Sequence, residues 1–195
     1  FVGAAPYGST TGQSIGRGFL LGMIGVFILL SFMFRNYLEP IIVMATIPLG
    51  LIGVVWGHML LGLNMSMPSV MGFASLAGVV VNNAILIVEF TKIERREGRD
   101  PSTAALNAAK RRFRAILLTS LTTVFGLLPL LTETSLQAQV LIPLVTSLTF
   151  GLATTTILML FVVPALYMVL EDLGWTASVE IEGGDELPAA AQPAE

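Results

Sequence analysis

Apolar and polar residues are separated along this chain into long blocks and do not alternate over short distances. No Asp, Glu, Lys or Arg occurs in residues 18–34, 40–88, 115–132 or 134–170, and these blocks make up well over half of the 195 residues. Each block approaches or exceeds the roughly 20 apolar residues that carry a helix across a bilayer. The pattern therefore predicts an all-α membrane protein.

The four blocks divide into five predicted transmembrane helices. The second block is too long for one crossing, and a turn-forming stretch at residues 62–68 interrupts it. The last block also exceeds one span, so we expect a loop at about residues 134–139 before its helix. The predicted spans are approximately 18–34, 41–63, 68–89, 115–132 and 141–170.

Composition supports this class and excludes several others. Hydrophobic residues make up 54% of the chain and charged residues only 12%, which argues against a soluble fold and against intrinsic disorder. The chain has no Cys and a single histidine, His58, so it has no thiol chemistry and no histidine cluster. We predict that it is not an enzyme, has no cofactor or metal site, and binds no nucleic acid. We expect His58 to be a packed or interfacial imidazole near the outer end of its span.

The charged residues indicate the orientation of the spans. Eight of the ten basic residues lie in residues 89–114, and Lys and Arg hold short loops in the cytoplasm. With loop 90–114 inside, the N-terminus lies outside and the acidic tail, residues 172–195, lies inside and is expected to be disordered. Within the loop, Asp100-Pro101 predicts the start of a short helix that continues to about Arg112. Topology anchoring is one reading of the basic loop, and lipid binding or a role in proton transfer are the others.

Polar side chains inside the predicted spans are the candidates for function, because they are costly in hydrocarbon. Ser75, Asn82 and Glu89 recur at seven-residue intervals and so share a helix face, and Asn83 follows Asn82. The next span carries Thr119, Thr122, Thr123 and Gly126 on one face. These groups fit either interhelical hydrogen bonding or a polar pathway, and packing of the two spans would bring Thr119 near the asparagines. Without a titratable group at depth, the chain alone has no proton path.

Several short motifs, in their order and spacing, resemble one known family. They begin with Gly78-Val-Val-Val-Asn82-Asn83-Ala-Ile-Leu-Ile-Val-Glu89-Phe and continue through Glu97-Gly98 and Arg112-Phe-Arg114-Ala-Ile-Leu-Leu-Thr119-Ser120. They end with Gly126-Leu-Leu-Pro129-Leu and Phe161-Val-Val-Pro164-Ala-Leu-Tyr167, and Pro48-Leu-Gly50 precedes them all. The chain resembles the C-terminal membrane half of resistance–nodulation–cell division (RND) efflux permeases of the hydrophobe/amphiphile class, over about residues 15–171.

The resemblance implies a fold and a set of partners. The family has twelve transmembrane helices in two repeats, and this chain resembles helices eight to twelve. Residues 1–17 would then end a periplasmic domain, residues 18–171 would form the transmembrane bundle, and an N-terminal half would precede them. The family implies a homotrimer in the inner membrane that exchanges protons for drugs or other amphiphiles. It also implies a periplasmic adaptor and an outer-membrane channel as partners.

The resemblance also implies roles for four residues. Asn82 stands where the family's tenth helix has the lysine of its proton relay, and Asn83 matches the asparagine that follows. Thr119 matches a threonine of the eleventh helix, and Arg112 matches the arginine just before that helix. The relay's two aspartates belong to the fourth helix, which this chain lacks. We therefore expect these four residues to be neighbours of a relay whose carboxylates lie elsewhere.

Two other functions remain open at this point. The chain could belong to an RND-type exporter of lipids or metal ions. It could also be a truncated, non-transporting structural module of the membrane.

Overall fold

Six helices and no strand account for the regular structure of the part of the chain that this computed structural model describes, residues 4–172. Five segments are long and apolar enough to cross a membrane, because α2 and α3 together make one crossing. This confirms the predicted all-α fold with five spans. The predicted acidic tail beyond residue 172 lies outside the described residues. The helices are α1 Ala4–Phe34, α2 Leu38–Ala45, α3 Ile47–Leu61, α4 Met67–Arg96, α5 Pro101–Leu131 and α6 Leu136–Asp172.

The second crossing is broken at Thr46. Pro48 lies at the start of α3, and a proline cannot donate the backbone hydrogen bond to the carbonyl four residues before it. The backbone N–H of Thr46 instead bonds to Val43 O at 3.2 Å, and the N–H of Leu49 bonds to Thr46 O at 3.2 Å. Both bonds span three residues, so the chain tightens at Thr46.

Several helix ends follow the local sequence. Gly62 ends α3 with φ of 63°, a left-handed conformation in which glycine is free of steric cost. Ser66 begins α4 and forms a capping box with Ser69. Pro101 opens α5 after Asp100 as predicted, but this helix continues without a break into the fourth span. The last connection is also shorter than the loop predicted at residues 134–139, because α6 begins at Leu136.

The helices form a bundle in which α6 packs against α3, α4 and α5. Small residues permit the closest approach: a Cβ on Gly53 would lie 2.6 Å from Thr154 Oγ1, and one on Gly57 would lie 2.6 Å from Phe150 Cβ. Gly53 and Gly57 form a motif of two glycines four residues apart, and this motif of α3 therefore packs against α6. A Cβ on Gly18 or Gly22, in the similar motif of α1, would have no atom within 4 Å, so that motif makes no close contact within the described bundle.

One end of the bundle gathers the basic residues of α4 and α5, and we call it the basic end. Lys92 of α4 contacts Phe34 at the end of α1 and Glu39 at the start of α2 there. Leu30 and Phe34 are buried in the core at this end, whereas Leu20, Leu21 and Ile24, which lie nearer the start of α1, are exposed. At the opposite end, α3 finishes and α4 and α6 begin.

Candidate functional site

Two rows of polar residues are exposed on the otherwise apolar surface of the bundle, and we call them the α4 and α5 polar stripes. The α4 polar stripe consists of Ser75, Asn82 and Glu89, and all three are exposed. The α5 polar stripe consists of Thr119, Thr122, Thr123 and Gly126, which are also exposed. Residues seven apart lie two turns apart on one helix face. The members of each stripe therefore share one face of their helix, as the sequence predicts.

The hydroxyl groups of the stripes are satisfied within their own helices. The Oγ1 atoms of Thr119, Thr122 and Thr123 donate to the carbonyl four residues earlier, at 2.9, 2.7 and 2.9 Å. Ser75 Oγ donates to Met71 O at 3.0 Å in the same way. These hydroxyls therefore need no partner from another helix, although each oxygen can still accept a hydrogen bond.

Asn82 differs from the hydroxyls because its side chain makes no hydrogen bond with any other described residue. It lines a cleft of about 600 Å³ between α1 and α4, together with Gly22, Gly25 and Gly78 and several apolar side chains. Glycines on both helices leave this cleft wide. An amide without partners in hydrocarbon costs about 2–7 kcal/mol in transfer experiments, so this position calls for a polar partner.

Asn83 lies on a different face of α4 from Asn82. Its side chain is buried, as expected for a residue about 100° around the helix from an exposed neighbour. The structure therefore separates the two asparagines: Asn82 faces the cleft, and Asn83 belongs to the interior of the bundle.

Arg112 is attached to α4 at the basic end. Its guanidinium carbon lies 3.8 Å from the centre of the Phe90 ring, a cation–π contact between α5 and α4. Its Nε is buried without an acceptor among the described residues. Among the described residues, no hydrogen bond joins any two of the four predicted site residues, Asn82, Asn83, Thr119 and Arg112. They are therefore distributed along α4 and α5 and do not form a connected hydrogen-bond network.

The most heavily paired side chain at the basic end is Glu94, whose role is not among the sequence-based predictions. Its carboxylate is fully buried and forms ion pairs with Arg99 and with Arg111, the latter at 3.0 Å. Asn107 Nδ2 donates to the same carboxylate at 3.3 Å. A signal for its burial exists in the sequence: Val80, Ala84, Ile87, Thr91 and Glu94 follow one another at alternating steps of four and three, and all are buried.

His58 is a packed histidine, which agrees with one of the two readings of the sequence. Its Nδ1 lies 2.9 Å from Val54 O, and its Nε2 lies 2.8 Å from Ser69 Oγ. A carbonyl only accepts, so Nδ1 is the donor, and in the neutral ring Nε2 accepts from the Ser69 hydroxyl. Ser147 Oγ also donates to Ser69 O at 2.9 Å. The imidazole thus links α3 to α4 at the opposite end, and Ser147 links α6 to the same residue of α4.

The family described as AcrB/AcrD/AcrF matches residues 3–171, which is most of the chain. The chain belongs to the AcrB/AcrD/AcrF family. The match agrees in extent with the five-span bundle and identifies the chain as a segment of an RND-type permease.

Membership in the AcrB/AcrD/AcrF family places the two polar stripes in a transporter. Permeases of this family are multi-pass membrane transporters, and the five long apolar helices agree with that class. A metal site is not evident from side-chain types: within the described residues there is no group of three or more His, Asp or Glu side chains suited to a metal ion.

Proposed function

We propose that this chain is the C-terminal membrane segment of a proton-motive-force-driven efflux permease, a drug or amphiphile/proton antiporter. In this proposal the segment is inactive without an N-terminal half that carries the relay carboxylates. The basic end lies in the cytoplasm and the N-terminus in the periplasm. The complete permease is a homotrimer of the inner membrane that contributes to multidrug resistance and docks to a periplasmic adaptor and an outer-membrane channel.

The exposed amide of Asn82 carries this proposal. It is the one group of the α4 polar stripe that could donate two hydrogen bonds and makes none within the described bundle. A carboxylate on a facing helix would accept those hydrogen bonds. Thr119 Oγ1 already donates to Ala115 O, so it would act as an acceptor towards a protonated carboxyl group. An amide and a hydroxyl thus suit both states of a carboxyl group that gains and loses a proton.

Asn82 also limits what the coupling can be. A lysine at this position would stabilise an ionised carboxylate by its charge, whereas an amide contributes only hydrogen bonds, of about 1.5–3 kcal/mol when the partner is charged. In this proposal, changes in protonation rearrange hydrogen bonds at Asn82 and do not move a positive charge.

The test is alanine substitution in the full-length permease at its normal expression level. Asn82→Ala and Thr119→Ala should each lower drug resistance by about tenfold, the size expected for losing about 1.4 kcal/mol of interaction with the relay. Asn64→Ala and Thr132→Ala are matched controls, because both side chains are exposed and lie outside the helices. Unchanged resistance in the Asn82 and Thr119 variants, with the controls also unchanged, would refute the role in coupling.

Expression of the chain by itself tests its dependence on a second half. We expect the chain to insert into the membrane and to give no efflux. Efflux by the isolated chain would show that it is an autonomous transporter and would overturn the proposal.

A further inference from the structure

Helix α5 exposes a second face that differs in chemistry from its polar stripe. Leu118, Leu121 and Phe125 are all exposed, and they lie about 120° around the helix from the α5 polar stripe. These two faces suit different neighbours, because threonine side chains fit a protein partner with polar groups and leucine and phenylalanine fit hydrocarbon.

Two basic residues continue the apolar face towards the basic end. Lys110 and Arg114 precede Leu118, Leu121 and Phe125 at steps of four, four, three and four residues, so all five lie on one side of α5. Each of the five is exposed. We call this row the basic–apolar stripe.

The positive charges of this stripe have no ion-pair partner among the described residues. Three carboxylates at the basic end pair with other cations: Glu94 with Arg99 and Arg111, Glu97 with Arg99, and Glu39 with Lys92. Helix α5 itself contains no acidic residue. Arg111 turns towards Glu94 of α4, whereas neither Lys110 nor Arg114 forms an ion pair with any described residue. The uncompensated charge therefore faces outward at the basic end.

We propose that the basic–apolar stripe binds an anionic phospholipid. The phosphate group lies between Lys110 and Arg114, and the acyl chains lie along Leu118, Leu121 and Phe125. The lengths agree: eleven residues separate Arg114 from Phe125, about 16 Å of helix, and one leaflet contributes about 15 Å of hydrocarbon. A zwitterionic lipid would leave the paired positive charges uncompensated, so charge complementarity selects an anionic headgroup.

Fluorescence quenching by brominated lipids tests this proposal on the full chain. Trp56→Phe and Trp175→Phe remove the native tryptophans, and Leu121→Trp places one reporter in the stripe. The chain is reconstituted into vesicles that contain phosphatidylglycerol and phosphatidylcholine, with the bromine on one lipid at a time. Each Lys or Arg near the membrane surface contributes about 1 kcal/mol to the free energy of binding to anionic lipid, and this corresponds to about fivefold in the binding constant. We expect phosphatidylglycerol to be preferred around the indole reporter by at least about fivefold.

A pair of double variants separates this site from a general effect of charge. Lys110→Gln with Arg114→Gln should reduce the preference nearly to one. Arg17→Gln with Arg35→Gln removes the same charge from exposed positions on and just after α1 and should leave the preference unchanged. Equal quenching by the two lipids would overturn the proposal, as would an equal loss of preference in both double variants. Circular dichroism checks that each variant remains helical.

The acidic residues beyond the described part of the chain are the competing occupant. Residues 173–195 contain five acidic residues and no basic residue. A variant that ends at residue 172 distinguishes the two: an unchanged preference for phosphatidylglycerol supports the lipid. A preference that exists only after the truncation would assign the stripe to the tail and refute the lipid proposal.

Discussion

Two glutamates three residues apart near the end of α4 have different surroundings. The side chain of Glu94 is fully buried, whereas that of Glu97 is 49% exposed, and both pair with Arg99. Glu94→Gln would leave Arg99 and Arg111 without their buried partner. The side chains of those arginines are 38% and 51% exposed, so their guanidinium groups can regain water. We therefore expect the free energy of unfolding to fall by about 1–3 kcal/mol, less than the roughly 3–5 kcal/mol typical when both charges are buried.

Glu97→Gln is the matched control for this prediction. It removes the same charge from the residue that follows α4 and from the same arginine, but an exposed ion pair contributes only about 0–1 kcal/mol. The measurement is the free energy of unfolding in mixed detergent micelles. Equal losses for the two variants would mean that burial of Glu94 contributes nothing to the stability of the α4–α5 hairpin.

Two helices carry the same motif of glycines four residues apart, but the glycines of α3 are tightly packed and those of α1 are not. A Cβ on Gly53 would press on Thr154 and on the carbonyl of Phe150, whereas one on Gly18 would have nothing within 4 Å. We expect Gly53→Ala to cost about 1–3 kcal/mol by forcing α3 away from α6. Gly18→Ala should be neutral or stabilise by up to about 1 kcal/mol, because alanine favours helix. The same unfolding measurement decides, and an equal effect of both substitutions would contradict this account of the α3–α6 contact.

The number of membrane-crossing segments and the starts of several helices could be predicted from local sequence, because they depend on charge-free length and on nearby turn-forming and capping residues. Pro68 and Pro101 are such signals, because each lies at the start of its helix. The break at Thr46 was not predicted, since a proline near the start of a helix and a proline within one look alike in sequence. The unbroken α5 was also missed, because a drop in hydrophobicity marks the edge of the membrane and not the end of a helix.

The candidate site could be predicted only as faces of helices, and its connections depend on the packing of the whole molecule. The exposure of Asn82 and Thr119 agrees with the predicted polar faces. The hydrogen bond between His58 and Ser69 and the pairing of Glu94 with Arg111 join separate helices. Seven-residue periodicity within one helix says nothing about such partners, and Glu94 looks in the sequence like one more charge in a basic loop.

Whole-molecule packing makes α1 the least attached helix, and one cation holds its end. Lys92 Nζ donates to Phe34 O and to Glu39 Oε2, both at 3.0 Å. Lys92→Met removes both hydrogen bonds, so losing even about 1.4 kcal/mol would raise the detached population of α1 tenfold. The chain has no native Cys, so spin labels can be attached at Leu21→Cys in α1 and Val79→Cys in α4. Pulsed electron paramagnetic resonance then measures the distribution of distances between the two labels, and we expect this distribution to broaden in the Lys92 variant.

Arg96→Met is the control: it removes the same charge one turn further along α4 and should leave the distance distribution unchanged. An unchanged distribution in the Lys92 variant would mean that the apolar contacts of Leu30 and Phe34 suffice to hold α1.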